Sequence, residues 1–316
     1  MCLTTYLFYL YEIISITTCC VTLQIKDNDQ IETTLSKSAI YYHNYIEMKK
    51  LHFILISIML SSVLAYCYAQ EKTVTFTTSA GVIKARLYDD VPNHTSVFIK
   101  KAANGDYNGT LFTRVIKEFM IQGGSPDSKN APAGARCGFG DRRSEILPEF
   151  RNHYFHKKGV LAAPRQNDDI NPKKKSDMSQ FFIVHGKVYT DGALDTLELI
   201  KNQPIRRKAM DTYYKPFKTE LEILKKDNPR EFNKRVVEIN SKVDSVIRST
   251  PGHLIFTEEQ RKAYTTLGGC PHLDGFYTIY GEVTEGFEVI DAIANQPKDA
   301  YDRPKKDIRI IKVTIQ

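Results

Sequence analysis

The stretch Leu111–Gly124, LFTRVIKEFMIQGG, constrains this chain more than any other. Phe112, Val115 and Ile116 surround Arg114 in the pattern of a half-buried strand, and Phe119, Met120 and Ile121 continue it. Gly123 and Gly124 then let the backbone turn away. One guanidinium (Arg114) and one carboxamide (Gln122) sit among aromatic and sulfur side chains. A guanidinium in such company is costly to bury unless it donates hydrogen bonds. Taken alone, the segment fits equally an edge strand whose arginine reaches out to water and a site in which the arginine has a partner. The rest of the chain decides.

Short strand patterns flank it. VTFTT, the turn Ser79-Ala80-Gly81 and VIKARLY read as a hairpin. Pro92 leads into a helix over Thr95–Ala103, ended by Asn104-Gly105. A Gly/Pro/Asn-rich loop covers Ser125–Arg143, and Gly159–Ala163 reads as a short apolar strand ending at Pro164-Arg165. Met178–Val184 reads as a strand with adjacent aromatics on opposite faces. The loop Asn167–Asp177 carries Lys173-Lys174-Lys175 and reads as a solvated tip. His153 and His156 are three apart with no partner cluster nearby, which fits a surface turn better than half of a metal site. The six cysteines, at 2, 19, 20, 67, 137 and 270, lack zinc spacing. No metal or other cofactor is expected.

The first residues follow a different logic. Residues 1–47 have no clear period, and Met48 begins MKKLHFILISIMLSSVLAYCYAQEK. A basic start, an apolar run over Phe53–Met59 and small residues before Gln70 are the physical form of a secretory signal peptide. The apolar run is short for a permanent membrane span. The expected organisation is an upstream extension over 1–47 that is not translated in vivo, a signal peptide over 48–69 and a mature domain over 70–316. That domain would be periplasmic or secreted, with no stable membrane insertion after cleavage. Cys137 and Cys270 would be its only cysteines, and the sequence does not fix whether they come close enough to bridge.

Residues 186–269 read as helical. Ala193, Leu194, Leu197 and Ile200 share one face, and Phe217, Leu221 and Leu224 another. Phe232, Val236, Ile239, Val243 and Val246 follow the same step. Asn228-Pro229 breaks the longer helices into a hairpin, and Thr257 with Gln260 forms a capping box. Such a hairpin is expected to bury its own apolar faces, leaving the sheet core to the flanking segments.

FTRVIKEFMIQGG, GVLAAPR, SQFFIV and PHLDGFYTIYGEV resemble, in order, the signature segments of the cyclophilin family of peptidyl-prolyl cis-trans isomerases, including its exported bacterial members. The resemblance implies a mainly β fold: a closed eight-stranded antiparallel barrel capped by two helices, the second over Gly286–Asn295, with a closing strand over Ile308–Ile315. The α-helical insertion at 186–269 lies outside that pattern. The resemblance also implies an activity, acceleration of X–Pro rotation in folding proteins. Such rotation is slow because the C–N bond has partial double-bond character, and lowering the barrier requires neither nucleophile nor metal. A donor aimed at the prolyl nitrogen favours the twisted state over both planar ones.

Arg114 aligns with the family's catalytic arginine. Phe119, Met120, Phe182 and Leu273 align with its proline pocket. Gln122 and Gln180 match positions that bind the substrate backbone or orient the arginine. Arg165 matches one that acts mainly through its main chain, so its side chain is expected to matter less. His272 stands where a tryptophan is common, Tyr277 replaces a histidine, and Ala163-Pro164 replaces Met-Ala. The implied partners are proline-containing peptides and unfolded or partly folded proteins. A proline-peptide binding module or holdase chaperone with residual catalysis is the alternative, but a pure binder has no need of Arg114. Nucleic acid is not expected: the net charge is +7, yet the charges are mixed and no stacking motif is present.

Overall fold

The computed structural model describes residues 43–59 and 72–316. The cleavage site expected after Ala69, and most of the upstream extension, lie outside the described residues. Residues 43–59 are helical and exposed along almost their whole length. Among the described residues, no helix is long and apolar enough to cross a membrane. The chain divides into two compact units, Met1–Gln70 and Glu71–Gln316.

Eight strands of the second unit form one curled antiparallel sheet. They are β1 (Thr73–Thr78), β2 (Gly81–Leu87), β3 (Phe112–Ile116), β4 (Met120–Gly123), β6 (Val160–Ala162), β8 (Phe181–Val184), β9 (Ile279–Glu285) and β10 (Ile310–Ile315), in the order β10-β1-β2-β9-β6-β8-β4-β3. Two short strands, β5 (Glu145–Ile146) and β7 (Ser176–Asp177), pair separately. Alternation sets the inner face: Val74 and Phe76 of β1 and Ile83, Ala85 and Leu87 of β2 are buried, while Lys84 between them is exposed. Helices α1 (Pro92–Ala103) and α6 (Phe287–Ala294) lay Phe98 and Ala102, and Val289, Ile290, Ile293 and Ala294, onto the same core. Phe76 lies 4.9 Å from Phe181 and 6.0 Å from Phe98, which places aromatic packing at its centre.

The strand ladder itself begins at β10 and ends at β3. These two ends meet through isolated bonds rather than a strand pair: Phe112 N donates to Ile308 O (3.0 Å), Ile310 N to Thr110 O (2.8 Å), and Leu111 bridges Arg309.

The focal stretch is a hairpin, where the sequence reads as one continuing strand. Glu118 adopts φ +62°, in the left-handed region, and reverses the chain between β3 and β4. Gly124 then leaves β4 at φ +95°, and a Cβ there would meet the Tyr107 ring at 2.9 Å. Only glycine fits.

Between β8 and β9 lie α2 (Asp191–Tyr213), α3 (Lys218–Asp227), α4 (Pro229–Ser249) and α5 (Glu258–Thr266). Asn228 caps α4, and Thr257 with Gln260 forms the capping box of α5. This excursion has two cores. The outer one, with Ala209, Leu221, Ile239, Val243 and Ile247, belongs to the helices alone. The inner one joins Leu194, Phe256, Ala263 and Tyr264 to Phe155, which precedes β6. The hairpin therefore buries its own face only at its far end, and near the sheet it shares a core.

Two junctions hold that base. Lys187 and Gly269 exchange both backbone bonds (3.0 and 2.9 Å), and Cys270 N donates to His156 O (2.7 Å). Farther out, the Asn202 carboxamide donates to Leu254 O (2.7 Å) and accepts from Leu254 N (2.8 Å), tying together positions 52 residues apart.

Candidate active site

Alternate residues of β4, β6 and β8 face opposite ways. Ile121, Leu161, Phe181 and Ile183 enter the main core. Met120, Val160, Ala162, Phe182 and Val184 form a second cluster with Cys270, Leu273 and Ile279. On that second face Arg114, Gln122 and Phe182 are register partners across three adjacent strands. The row runs from an exposed guanidinium through a half-buried carboxamide to a buried ring.

Phe119, Met120, Phe182, Leu273 and Tyr277 gather around this row. Tyr277 stands edge-on to Phe182 at 5.8 Å, and His272 tilts over Phe119 at 5.5 Å. The Arg114 guanidinium lies 5.9 Å from the Phe119 ring, and its Nε donates to Asp302 Oδ2 at 3.4 Å. Gln122 Nε2 donates to Gln180 Oε1 (3.0 Å), and Gln180 Nε2 donates to Asp177 Oδ2 (3.1 Å). This chain fixes the Gln122 carboxamide beside the arginine.

Arg165 closes one end. Its guanidinium lies 4.8 Å over the Tyr277 ring and donates to Phe276 O (2.7 Å), Gln166 O (3.0 Å) and Asp168 Oδ1 (2.6 Å). Only 6% of the side chain is exposed. The sequence reading gave this side chain little weight, yet it is built into the wall.

Several residues that sequence reasoning passed over support the site. His156 is fully buried rather than on a surface turn. Its Nδ1 bonds Asp274 Oδ1 (2.9 Å), its backbone N–H donates to the same oxygen (2.7 Å), and its ring stacks parallel to Phe182 at 6.2 Å. Tyr264, from α5, donates its hydroxyl to the other oxygen of Asp274 (2.5 Å). Burial, and then the Asp274 charge, push the Tyr264 hydroxyl far above its ordinary pKa, so it remains a donor at all working pH values. Asp274 immediately follows Leu273, so the helical excursion is bonded to the pocket loop. Asp302 is the other addition, a residue at φ +66° whose carboxylate also accepts from Lys298 Nζ (2.6 Å). The His156–Asp274 and Arg114–Asp302 partnerships leave no spacing signal, because they join segments 118 and 188 residues apart.

Partial desolvation, and then His156, hold the His272 imidazole below its ordinary pKa, with Asp274 opposing. Burial and Asp274 push the Cys270 thiol up to about 12. Cys137 and Cys270 are both free thiols. Among the described residues no group of His, Cys, Asp and Glu is placed to hold a metal ion. A separate cleft of about 360 Å³, lined in part by Arg86, Tyr88, Tyr154, Lys157 and Glu282, contains none of the site residues. Its cations already pair with Glu282.

The arrangement supplies an apolar and aromatic cluster with a guanidinium and carboxamides along one edge. The profile of the family described as cyclophilin type peptidyl-prolyl cis-trans isomerase/CLD matches residues 73–203 and 220–315. The matched segments run through most of the helical excursion and leave out 204–219. The chain is 25% identical over 244 residues to the Arabidopsis thaliana peptidyl-prolyl cis-trans isomerase CYP18-1, covering 77% of this chain and 95% of the relative. It is 26% identical over 247 residues to a Staphylococcus haemolyticus protein named as a candidate enzyme of the same kind, covering 78% and 92%. It is 34% identical over 146 residues to peptidyl-prolyl cis-trans isomerase-like 3 of Dictyostelium discoideum, covering 42% and 84%.

Proposed function

The chain belongs to the cyclophilin-type peptidyl-prolyl cis-trans isomerase family and is a peptidyl-prolyl isomerase, and from that premise we propose that Arg114 is its catalytic residue. Rotation about an X–Pro bond crosses a barrier of about 18–20 kcal/mol, because twisting removes amide conjugation. In the twisted state the prolyl nitrogen is pyramidal and carries a localised lone pair. A donor aimed at that lone pair stabilises the twisted state alone, which is what acceleration requires. The Arg114 guanidinium presents such donors in a planar fork. Among the described residues its terminal nitrogens carry no hydrogen bond, since the contact to Asp302 uses Nε. They remain available to substrate.

In this reading the proline ring sits among Phe119, Met120, Phe182 and Leu273, with Tyr277 and His272 at the rim. Gln122, Gln180 and Arg165 hold the peptide backbone. The observation that carries the assignment is the shared face of Arg114, Gln122 and Phe182 beside that cluster. The substrates are proline-containing segments of unfolded or partly folded proteins. Residues 48–69 act as a signal peptide, and 70–316 work in the periplasm or outside the cell; sequencing the native N-terminus tests this, and retention of 1–47 would refute it. The bonds at Leu111 and Arg309 are the seam of a closed barrel.

The decisive experiment is a protease-coupled prolyl-peptide assay on Arg114→Ala. Removing one preorganised donor costs about 10²–10³ in rate, and the exposure of Arg114 points to the lower end. The expected result is a loss of about a hundredfold with unchanged circular dichroism, and poor rescue by Arg114→Lys, whose ammonium lacks the planar fork. Near-wild-type turnover in Arg114→Ala would sink the assignment.

A further inference from the structure

Next to Arg165 stands a partly exposed ring. Phe276 is 37% exposed, directly precedes Tyr277, and its carbonyl receives the Arg165 Nε–H. Two ammonium groups lie over it. Lys174 Nζ, from the loop between β6 and β7, is 5.2 Å from the ring centroid. Lys201 Nζ, from α2 of the helical excursion, is 5.6 Å away. The lysine run expected to be a solvated tip is therefore folded against the groove at Lys174, which is half-buried.

The charges here do not cancel. Asp168 pairs with both Arg165 and Lys174. Lys201 has no carboxylate within 4.0 Å among the described residues. Lys173 and Lys175 flank Lys174, and Asp169 is the other acid on that loop. Three placed cations, Arg165, Lys174 and Lys201, thus face one carboxylate, Asp168, on a patch that adjoins the proposed proline site. An aromatic face attracts an ammonium above it through its π electrons, which biases both lysines toward Phe276. Exposed ion pairs are individually weak and screened by salt, so such a patch sets preference rather than affinity.

We infer that this end of the groove selects substrates bearing a carboxylate side chain near the proline, and that the helical excursion, through Lys201, is a specificity element of the isomerase. The inference rests on the reading of the Arg114 groove given above. It assigns Lys201 and Lys174 to substrate choice and not to the rotation step.

The test uses the full chain and paired prolyl tetrapeptides that differ only by Glu or Gln, placed on either side of the X–Pro bond. Exchange is measured by NMR, which needs no coupling protease. At low salt the Glu peptide in one of the two positions should be favoured by about three- to tenfold in kcat/KM, mainly through KM, and the advantage should fade by about 0.5 M salt. Lys201→Ala with Lys174→Ala should remove the advantage and leave the Gln peptide unchanged. Lys201→Arg should keep it, and Lys201→Glu should abolish it. Equal turnover of Glu and Gln peptides by the wild type, or a Glu preference that survives Lys201→Glu, would overturn the inference while leaving the isomerase site standing. If neither peptide is turned over, the groove reading falls and takes this one with it.

Discussion

Tyr264→Phe removes a single oxygen and asks whether the helical excursion is part of the pocket's support. The ring of Tyr264 is fully buried, and its hydroxyl donates to Asp274 Oδ2. The phenylalanine ring would keep the contacts with Phe155 (5.5 Å) and Phe256 (5.7 Å), so no large cavity opens. What is lost is one hydrogen bond to a charged group, worth about 1.5–3 kcal/mol, in a setting where Asp274 is only 16% exposed. Asp274 would keep its two bonds from His156, which places the expected loss nearer 1.5 than 3 kcal/mol. Domains are typically stable by only about 5–15 kcal/mol, so the shift is readily measured by guanidinium denaturation at constant slope. Isomerase activity should fall too, by about tenfold or less and mainly in KM, because Asp274 anchors the loop carrying Leu273 and Tyr277. A loss of stability below about 0.5 kcal/mol would refute the claim that the bond carries load across the junction.

Excising 187–269 should abolish cooperative unfolding, because Phe155 would lose Leu194, Phe256 and Tyr264, whereas replacing 205–250 with a short linker should leave tetrapeptide activity intact; circular dichroism and the peptide assay decide between these outcomes. His272→Trp should tighten inhibition by cyclosporin, the cyclic peptide that binds the groove in sensitive members of the family, by about ten- to a hundredfold, since an indole adds apolar area and keeps an N–H donor. Equal inhibition constants for the two proteins would show that this position does not control the inhibitor. Stability should fall as pH drops from about 7 to 5: desolvation holds His94, His185 and His272 below the ordinary value of 6.5, so the unfolded chain binds the extra protons. A second loss should follow below the ordinary glutamate value of 4.5. There, burial would raise Glu149 and Glu282, but bonds from His94, and from Lys157 and Arg86, outweigh it and hold both carboxyls down. A melting temperature that stays flat from pH 7.5 to 5 would contradict the histidine assignment.

The parts of the molecule that obey a local period were legible in advance. The β1–β2 hairpin, the strands at 160–162 and 181–184, the first helix on the sheet and the capping box at Thr257 follow from alternation, helical step and turn chemistry, whereas the second helix came with the resemblance. The gathering of Arg114, Gln122 and Phe182 depends on strand order, and the resemblance carried that information where periodicity could not. The reversal at Glu118 escaped because nothing in Lys117–Phe119 advertises a left-handed residue. His156, Tyr264 and Asp274 escaped for a different reason: their bonds join segments up to 118 residues apart, and no local pattern encodes such a meeting.

The paired bonds between Asn202 and Leu254 act as a closed gate between the pocket's supports and everything farther out along the helices. Chain length beyond such a gate is nearly free, because each doubling of a loop adds only about 0.6 kcal/mol of closure entropy. The break in the family match, 204–219, falls beyond it. Evolution can therefore lengthen, shorten or replace the outer hairpin as a cartridge, and an engineer can splice a fluorescent or affinity module there, without disturbing the groove.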